Sequence, residues 1–109
     1  MRQAYDSSLI DRELVSLRSS LIMEEAGEVF DELQREEVDP ERLTKELCDL
    51  LYVTIGCAVA FGLPLDDAFE RVHESNMSKL GPDGRPTFRD DGKVLKPPTY
   101  KKPDLSDLF

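Results

Sequence analysis

Five carboxylates fall where a helical repeat calls for leucine. At about 100° per residue, Glu25 and Glu28 continue the stripe of Leu14, Leu17 and Leu21, with Glu24 at its margin. Farther along, Glu46 shares a face with Leu43, Leu50, Val53 and Cys57, and Asp49 sits one turn on at the edge of that face. Burying one unpaired carboxylate costs several kcal/mol. Gathering four or five in one core is prohibitive unless a cation compensates. Spacings of three and four residues set Glu25 with Glu28, Glu24 with Glu28, and Glu46 with Asp49 on adjoining turns, so two packed helices can converge their oxygens. All-oxygen ligation selects Mg²⁺ or Mn²⁺ over zinc. A single Glu-x-x-Glu spacing usually marks the solvated face of a glutamate-rich helix. Two such sets, both in phase with leucines, point instead to a metal site.

Cationic and amide groups follow. Leu65, Phe69 and Val72 continue in helical phase to Asn76 and Lys79, which predicts an amide and an ammonium pointing inward, for a salt bridge or for phosphate oxygens. Lys93, Lys96, Lys101, Lys102 and Tyr100 supply donors on a flexible tail that could close over a polyphosphate; a solvated basic tail is the plainer alternative. His73, the single histidine, falls beside the stripe and is not expected to act in catalysis.

Three helices must position these groups. The first is expected from Ser8 to Glu36, with Asp6, Ser7 or Ser8 accepting from its free amides. It carries the stripe Ile10, Leu14, Leu17, Leu21 and a second row, Ile22, Ala26, Val29, Leu33, hence a wide buried face. Asp39 caps and Pro40 opens the second, which runs to Phe61. Gly62 then takes the left-handed position and Pro64 follows as stop and restart. The third covers Leu65 to Leu80. From Gly81 the chain turns extended: Gly81-Pro82-Asp83-Gly84 and Asp91-Gly92 are turn signals, and five of the seven prolines lie in residues 82–103. Thr87–Arg89 and Lys93–Leu95 can pair as a short hairpin. The division expected is a helical catalytic domain over residues 1–80 and an extended tail over 81–109 that closes over the site or a neighbouring subunit's site.

With 109 residues the chain fits one domain, small enough that a second copy would help it bury a core, so a homo-oligomer is expected. Residues 1–80 carry 18 acids against 8 bases, and residues 81–109 carry 5 against 6. An acidic body disfavours nucleic acid, which needs cationic surface, and suits a site that concentrates divalent metal; a merely soluble acidic surface is the alternative. Cys48 and Cys57 lie on opposite faces of one helix, ~13 Å apart at ~1.5 Å per residue. That excludes a disulfide between them and leaves two buried free thiols. No signal peptide or spanning apolar run is seen, so no membrane association and a cytoplasmic location are expected.

Met23-Glu24-Glu25-Ala26-Gly27-Glu28 and Lys45-Glu46-Leu47-Cys48-Asp49-Leu50-Leu51-Tyr52 resemble the paired motifs, E-E-x-x-E then E-x-x-D, of the MazG-like all-α NTP pyrophosphohydrolases. The stretches V-H-E-S-N-M-S-K at Val72 to Lys79 and D-G-K-V-L-K-P-P at Asp91 to Pro98 look like the branch that includes dUTP-hydrolysing members. The resemblance covers most of the chain and is weakest at residues 1–12 and 81–89. It implies an all-α antiparallel bundle whose four-helix-type core is completed by oligomerisation, usually as a dimer, in some members as a tetramer. It implies divalent metal on Glu25, Glu28, Glu46 and Asp49, with Glu24 and Glu25 serving catalysis by positioning metal or attacking water. It further implies phosphate contacts from Lys79, Lys93, Lys96 and Tyr100, and sugar or base contact from Asn76. The activity implied is metal-dependent cleavage of a (deoxy)nucleoside triphosphate to monophosphate and pyrophosphate, in nucleotide housecleaning or pool control.

Three other readings compete. Glu70 to His73 matches the Glu-x-x-His spacing of di-iron bundles, but that leaves Glu46 and Asp49 unexplained. A non-catalytic helical interaction module would tolerate Glu28→Ala. Hydrolysis of phosphoribosyl-ATP uses similar acids, but the tail carries no specific signature for it.

Overall fold

Asp39 accepts from the amides of Glu41 and Arg42, Pro40 follows at a position that needs no hydrogen bond, and a 22-residue helix begins there. The computed structural model describes residues 5–109. Over them the chain is all-α, with α1 at Arg12–Leu33, α2 at Pro40–Phe61 and α3 at Leu65–Met77, and single 3₁₀ turns at Ser7–Leu9 and Ser106–Leu108. The described residues fall into two compact units, Tyr5–Leu63 and Pro64–Phe109.

In the first unit α1 and α2 form an antiparallel hairpin. The start of α1 differs from expectation. Asp6 caps only the Ser7–Leu9 turn, and Asp11, which accepts from Leu14 N at 3.0 Å, opens the long helix at Arg12 instead of Ser8. Its end comes at Leu33 instead of Glu36, since Glu36 and Glu37 would set negative charge at the negative end of the helix dipole. Helix α2 spans the predicted residues, and Gly62 closes it at φ 64° with its amide on the Ala58 and Val59 carbonyls. The Ser7–Leu9 turn lies against α2, and Tyr5 Oη donates to the Phe61 carbonyl at 3.0 Å.

Four cross-helix pairs define one register. Arg42 grips Glu32 through two hydrogen bonds of 3.0 and 2.9 Å, Glu46 meets Glu28, Glu25 and Asp49 bring oxygens together, and Arg18 lies on Gly56. The two residue numbers sum to 74 in every pair, and the same register sets Leu21 opposite Val53. The face of α1 turned to α2 is therefore Leu14, Arg18, Leu21, Glu25, Glu28, Val29 and Glu32. Leu17, expected on that stripe, is 53% exposed; the Glu32–Arg42 clamp fixes a rotation that turns Arg18 inward and Leu17 to the flank. Cys57 is half-buried, whereas Cys48, expected to be buried, is exposed because it lies on the side of α2 away from α1; both thiols are free.

In the second unit α3 stops at Met77, short of the expected Leu80. Ser78 Oγ turns back to the Ser75 carbonyl at 2.6 Å and accepts the Lys101 amide at 2.8 Å, so the chain is caught by the returning tail. The inward stripe expected on α3 is split: Leu65, Val72 and Lys79 are half-buried, whereas Phe69 is 68% exposed, Asn76 is exposed, and Lys79 lies beyond the helix end. Residues 87–95 make a hairpin of one antiparallel bridge, Phe88 with Val94, turned at Gly92 with φ 88°. The tail, expected to be flexible, is tied along α3: Ser75 Oγ donates to the Lys101 carbonyl at 2.7 Å, and Arg71 holds the Asp104 carbonyl and the Asp107 carboxylate. Leu108 is buried.

Candidate metal centre

Two turns of α1 and two turns of α2 each offer a pair of carboxylates at the middle of the hairpin. Glu25, Glu28, Glu46 and Asp49 each contribute one oxygen, and these four oxygens lie within 4.8 Å of one another. All four residues are half-buried. One oxygen of Glu25 and one of Glu46 are buried with no hydrogen-bond partner, an arrangement that costs stability unless a further group takes those lone pairs. Hydrogen bonding with Glu28, followed by burial, raises the Glu46 carboxyl above the usual glutamate range. Lys45 supplies partial compensation from the rim, with Nζ 2.6 Å from Asp49 Oδ2 and 3.6 Å from Glu46 Oε1, and its own ammonium is raised chiefly by Asp49.

The donor set fits a divalent cation. Four carboxylates from two helices, two of which also carry a buried oxygen without a partner, match the preference of Mg²⁺ or Mn²⁺ for oxygen ligands. A cation here would take the orphaned lone pairs.

The other residues singled out in the sequence are placed differently. Glu24 is exposed on α1 beside Glu25 and outside the four-oxygen group. Asn76, Lys79, Lys93, Lys96 and Tyr100 belong to the second unit. There Lys96 Nζ and Lys79 Nζ stand 5.0 and 6.0 Å from the centre of the Tyr100 ring, so three of the five converge as two cations on one aromatic ring. Lys93 is exposed in the hairpin with its amide on Asp91, and Asn76 sits in the last turn of α3. Glu70 and His73 are exposed, and among the described residues neither joins a metal-competent group. Three charged residues escaped the sequence reading: Glu32, Lys45 and Arg18. Glu32 and Arg18 both share the helical phase of Glu25, seven residues to either side, which was the available signal.

The sequence profile described as phosphoribosyl-ATP pyrophosphohydrolase matches residues 1–76. The chain belongs to the phosphoribosyl-ATP pyrophosphohydrolase family. The match takes in α1, α2, nearly all of α3 and both acid motifs, and ends before Lys79 and the tail. This family lies within the MazG-like all-α NTP pyrophosphohydrolases that the acid motifs resemble, and membership points to a pyrophosphohydrolase acting on a nucleotide. No curated protein matches the chain. No helix among the described residues is long and apolar enough to cross a membrane.

Proposed function

We propose that this pyrophosphohydrolase cleaves the α–β phosphoanhydride of a (deoxy)nucleoside triphosphate, releasing the monophosphate and pyrophosphate, with Mg²⁺ or Mn²⁺ as cofactor. The observation that carries this reading is the convergence of Glu25, Glu28, Glu46 and Asp49, with buried oxygens that lack partners. A bound divalent cation supplies charge neutralisation for the triphosphate and a lowered pKa for water. The four carboxylates hold and orient it. Glu24, exposed next to them, accepts the proton of the attacking water and keeps that water in line with the α-phosphorus. Lys79, Lys93, Lys96 and Tyr100 donate to phosphate oxygens and to the leaving pyrophosphate, and Asn76 contacts sugar or base. In this reading residues 1–80 form the catalytic domain and residues 81–109 a tail that closes over its own site or a neighbour's.

The tail motifs favour dUTP as substrate, whereas the family description favours phosphoribosyl-ATP. Competition between the two in one assay separates them: the better substrate suppresses turnover of the other in the ratio of their kcat/KM values. Hydrolysis in ¹⁸O-water tests the point of attack, since attack at the α-phosphorus leaves the label in the monophosphate and label found only in pyrophosphate excludes it.

The working unit proposed is a homodimer. Met23, Phe30 and Leu33 of α1 and Leu47 and Leu51 of α2 are exposed apolar side chains. Helix α2 is apolar on nearly every side, the pattern of a helix enclosed by others. A second copy of this hairpin covering exposed apolar side chains of α1 or α2 makes a four-helix core.

A further inference from the structure

Lys45 sets a positive charge against the four-carboxylate group of the hairpin. Its Nζ stands 2.6 Å from Asp49 Oδ2 and 3.6 Å from Glu46 Oε1, and the charge of Glu28, across on α1, acts on it as well. Three of the four acids therefore feel this ammonium. Arg42, three residues earlier, is committed elsewhere by its two hydrogen bonds to Glu32.

Stabilisation of α2 is a poor account of the contact. With the lysine four residues before the acid, the pair runs in the less favourable order for a helix. The lysine side chain is also 66% exposed, where an isolated ion pair contributes little. What distinguishes the contact is its place. Asp49 Oδ2 is engaged at the rim, while the Oε2 atoms of Glu25 and Glu46 are buried without a partner. An ammonium is a compact point charge on a flexible stem; here it neutralises the rim of the group and leaves the interior lone pairs unsatisfied.

We propose that Lys45 is the resident counter-cation of the metal centre: it offsets the clustered acids when no divalent ion is bound and competes with that ion for Asp49, so its charge sets how tightly the site holds Mg²⁺ or Mn²⁺. One side chain then has opposite effects in two states. In the metal-free chain it relieves repulsion among Glu28, Glu46 and Asp49 and stabilises the fold. Toward a divalent ion it is a like charge and a rival for a ligand oxygen. A unit charge held near a double charge in a water-exposed setting weakens binding by about tenfold. This inference rests on the metal-centre reading above and adds the residue that governs its occupancy.

The test reads metal binding, not turnover. Mn²⁺ is titrated calorimetrically into the full chain as wild type, as Lys45→Met, which keeps an unbranched stem without charge, and as Lys45→Arg, which keeps the charge. Lys45→Met is expected to bind Mn²⁺ about tenfold more tightly and, in EDTA, to melt at a lower temperature than the wild type. Lys45→Arg is expected to stay near the wild type in both. An Mn²⁺ affinity in Lys45→Met that is unchanged makes Lys45 a surface ion pair, and one that is weaker makes it a support holding Asp49 in place; either overturns the proposal. Should Lys45→Met fail to fold, the wild type decides. The Lys45 Nζ resonance, followed by NMR during Mg²⁺ addition, is expected to shift over the concentrations that raise Tm, and an unmoved resonance in a chain that binds Mg²⁺ overturns the proposal. Binding of neither ion by any form sinks the metal-centre reading and this inference with it, whereas wild-type binding that Lys45→Met leaves unchanged defeats the inference alone.

Discussion

Glu46 shows at the scale of one residue how the hairpin trades stability for a charged centre. Its carboxyl is raised by the hydrogen bond with Glu28 and by burial, so at neutral pH the folded state resists the ionised form that the unfolded chain adopts freely. Glu46→Gln keeps the shape and removes the conflict. The metal-free variant is expected to melt at a higher temperature than the wild type, while added Mg²⁺ or Mn²⁺, which raises the wild-type Tm by binding the native state, raises the variant's far less; calorimetry with and without metal checks both. The carboxylates were legible in the sequence because a charge in core phase is conspicuous. Arg18 broke the same rule and was overlooked, since periodicity assigned the inward position to Leu17 and only the cross-helix register shows which neighbour turns in. Lys45 was not legible, because a rim ion pair lies off the buried face and follows no period.

Helices end where capping chemistry is strongest, and two elements offer clean tests. Gly62 closes α2 with φ 64°, and a Cβ there would come within 2.6 Å of Leu9 Cδ1. Gly62→Ala is expected to cost about 1–2 kcal/mol from the left-handed backbone alone, measured by denaturant unfolding, with the slope unchanged. At the other end of α2, the hydrogen bonds from Arg42 hold Glu32 below the usual carboxyl range. A lowered folded pKa means stability that is present above the unfolded value and lost as pH falls through the folded one. Glu32→Gln is therefore expected to lower Tm at pH 7 and to make no difference at the acid end, where the wild type has lost the pair as well. The second helix was readable to the residue because Asp39-Pro40 and Gly62 are unambiguous signals. The first was misplaced at its start because Asp6 and Asp11 are both competent caps and only packing chooses Asp11. The third was overextended because the hydroxyl of Ser78, which ends it, is engaged by a tail residue distant in sequence.

At the scale of the whole molecule, the exposed apolar side chains on α1 and on α2 favour a second copy. Leu51→Glu is expected to convert a dimer to a monomer in light scattering, and an unchanged mass would place the interface elsewhere. The all-α class was evident from periodicity and from turn residues gathered after Gly81, but no sequence pattern showed how much of Met23, Phe30 and Leu51 a single chain leaves uncovered. The central claim is that four carboxylates on one hairpin form a metal centre for pyrophosphohydrolysis. Its most direct test is pyrophosphate release from a panel of dNTPs, NTPs and phosphoribosyl-ATP with Mg²⁺ or Mn²⁺, run beside Glu28→Ala and Asp49→Ala. Metal-dependent turnover of at least one nucleotide, reduced about 100-fold or more in both variants, is the expected result. Turnover that survives either substitution, or none from any nucleotide with either metal, would contradict it.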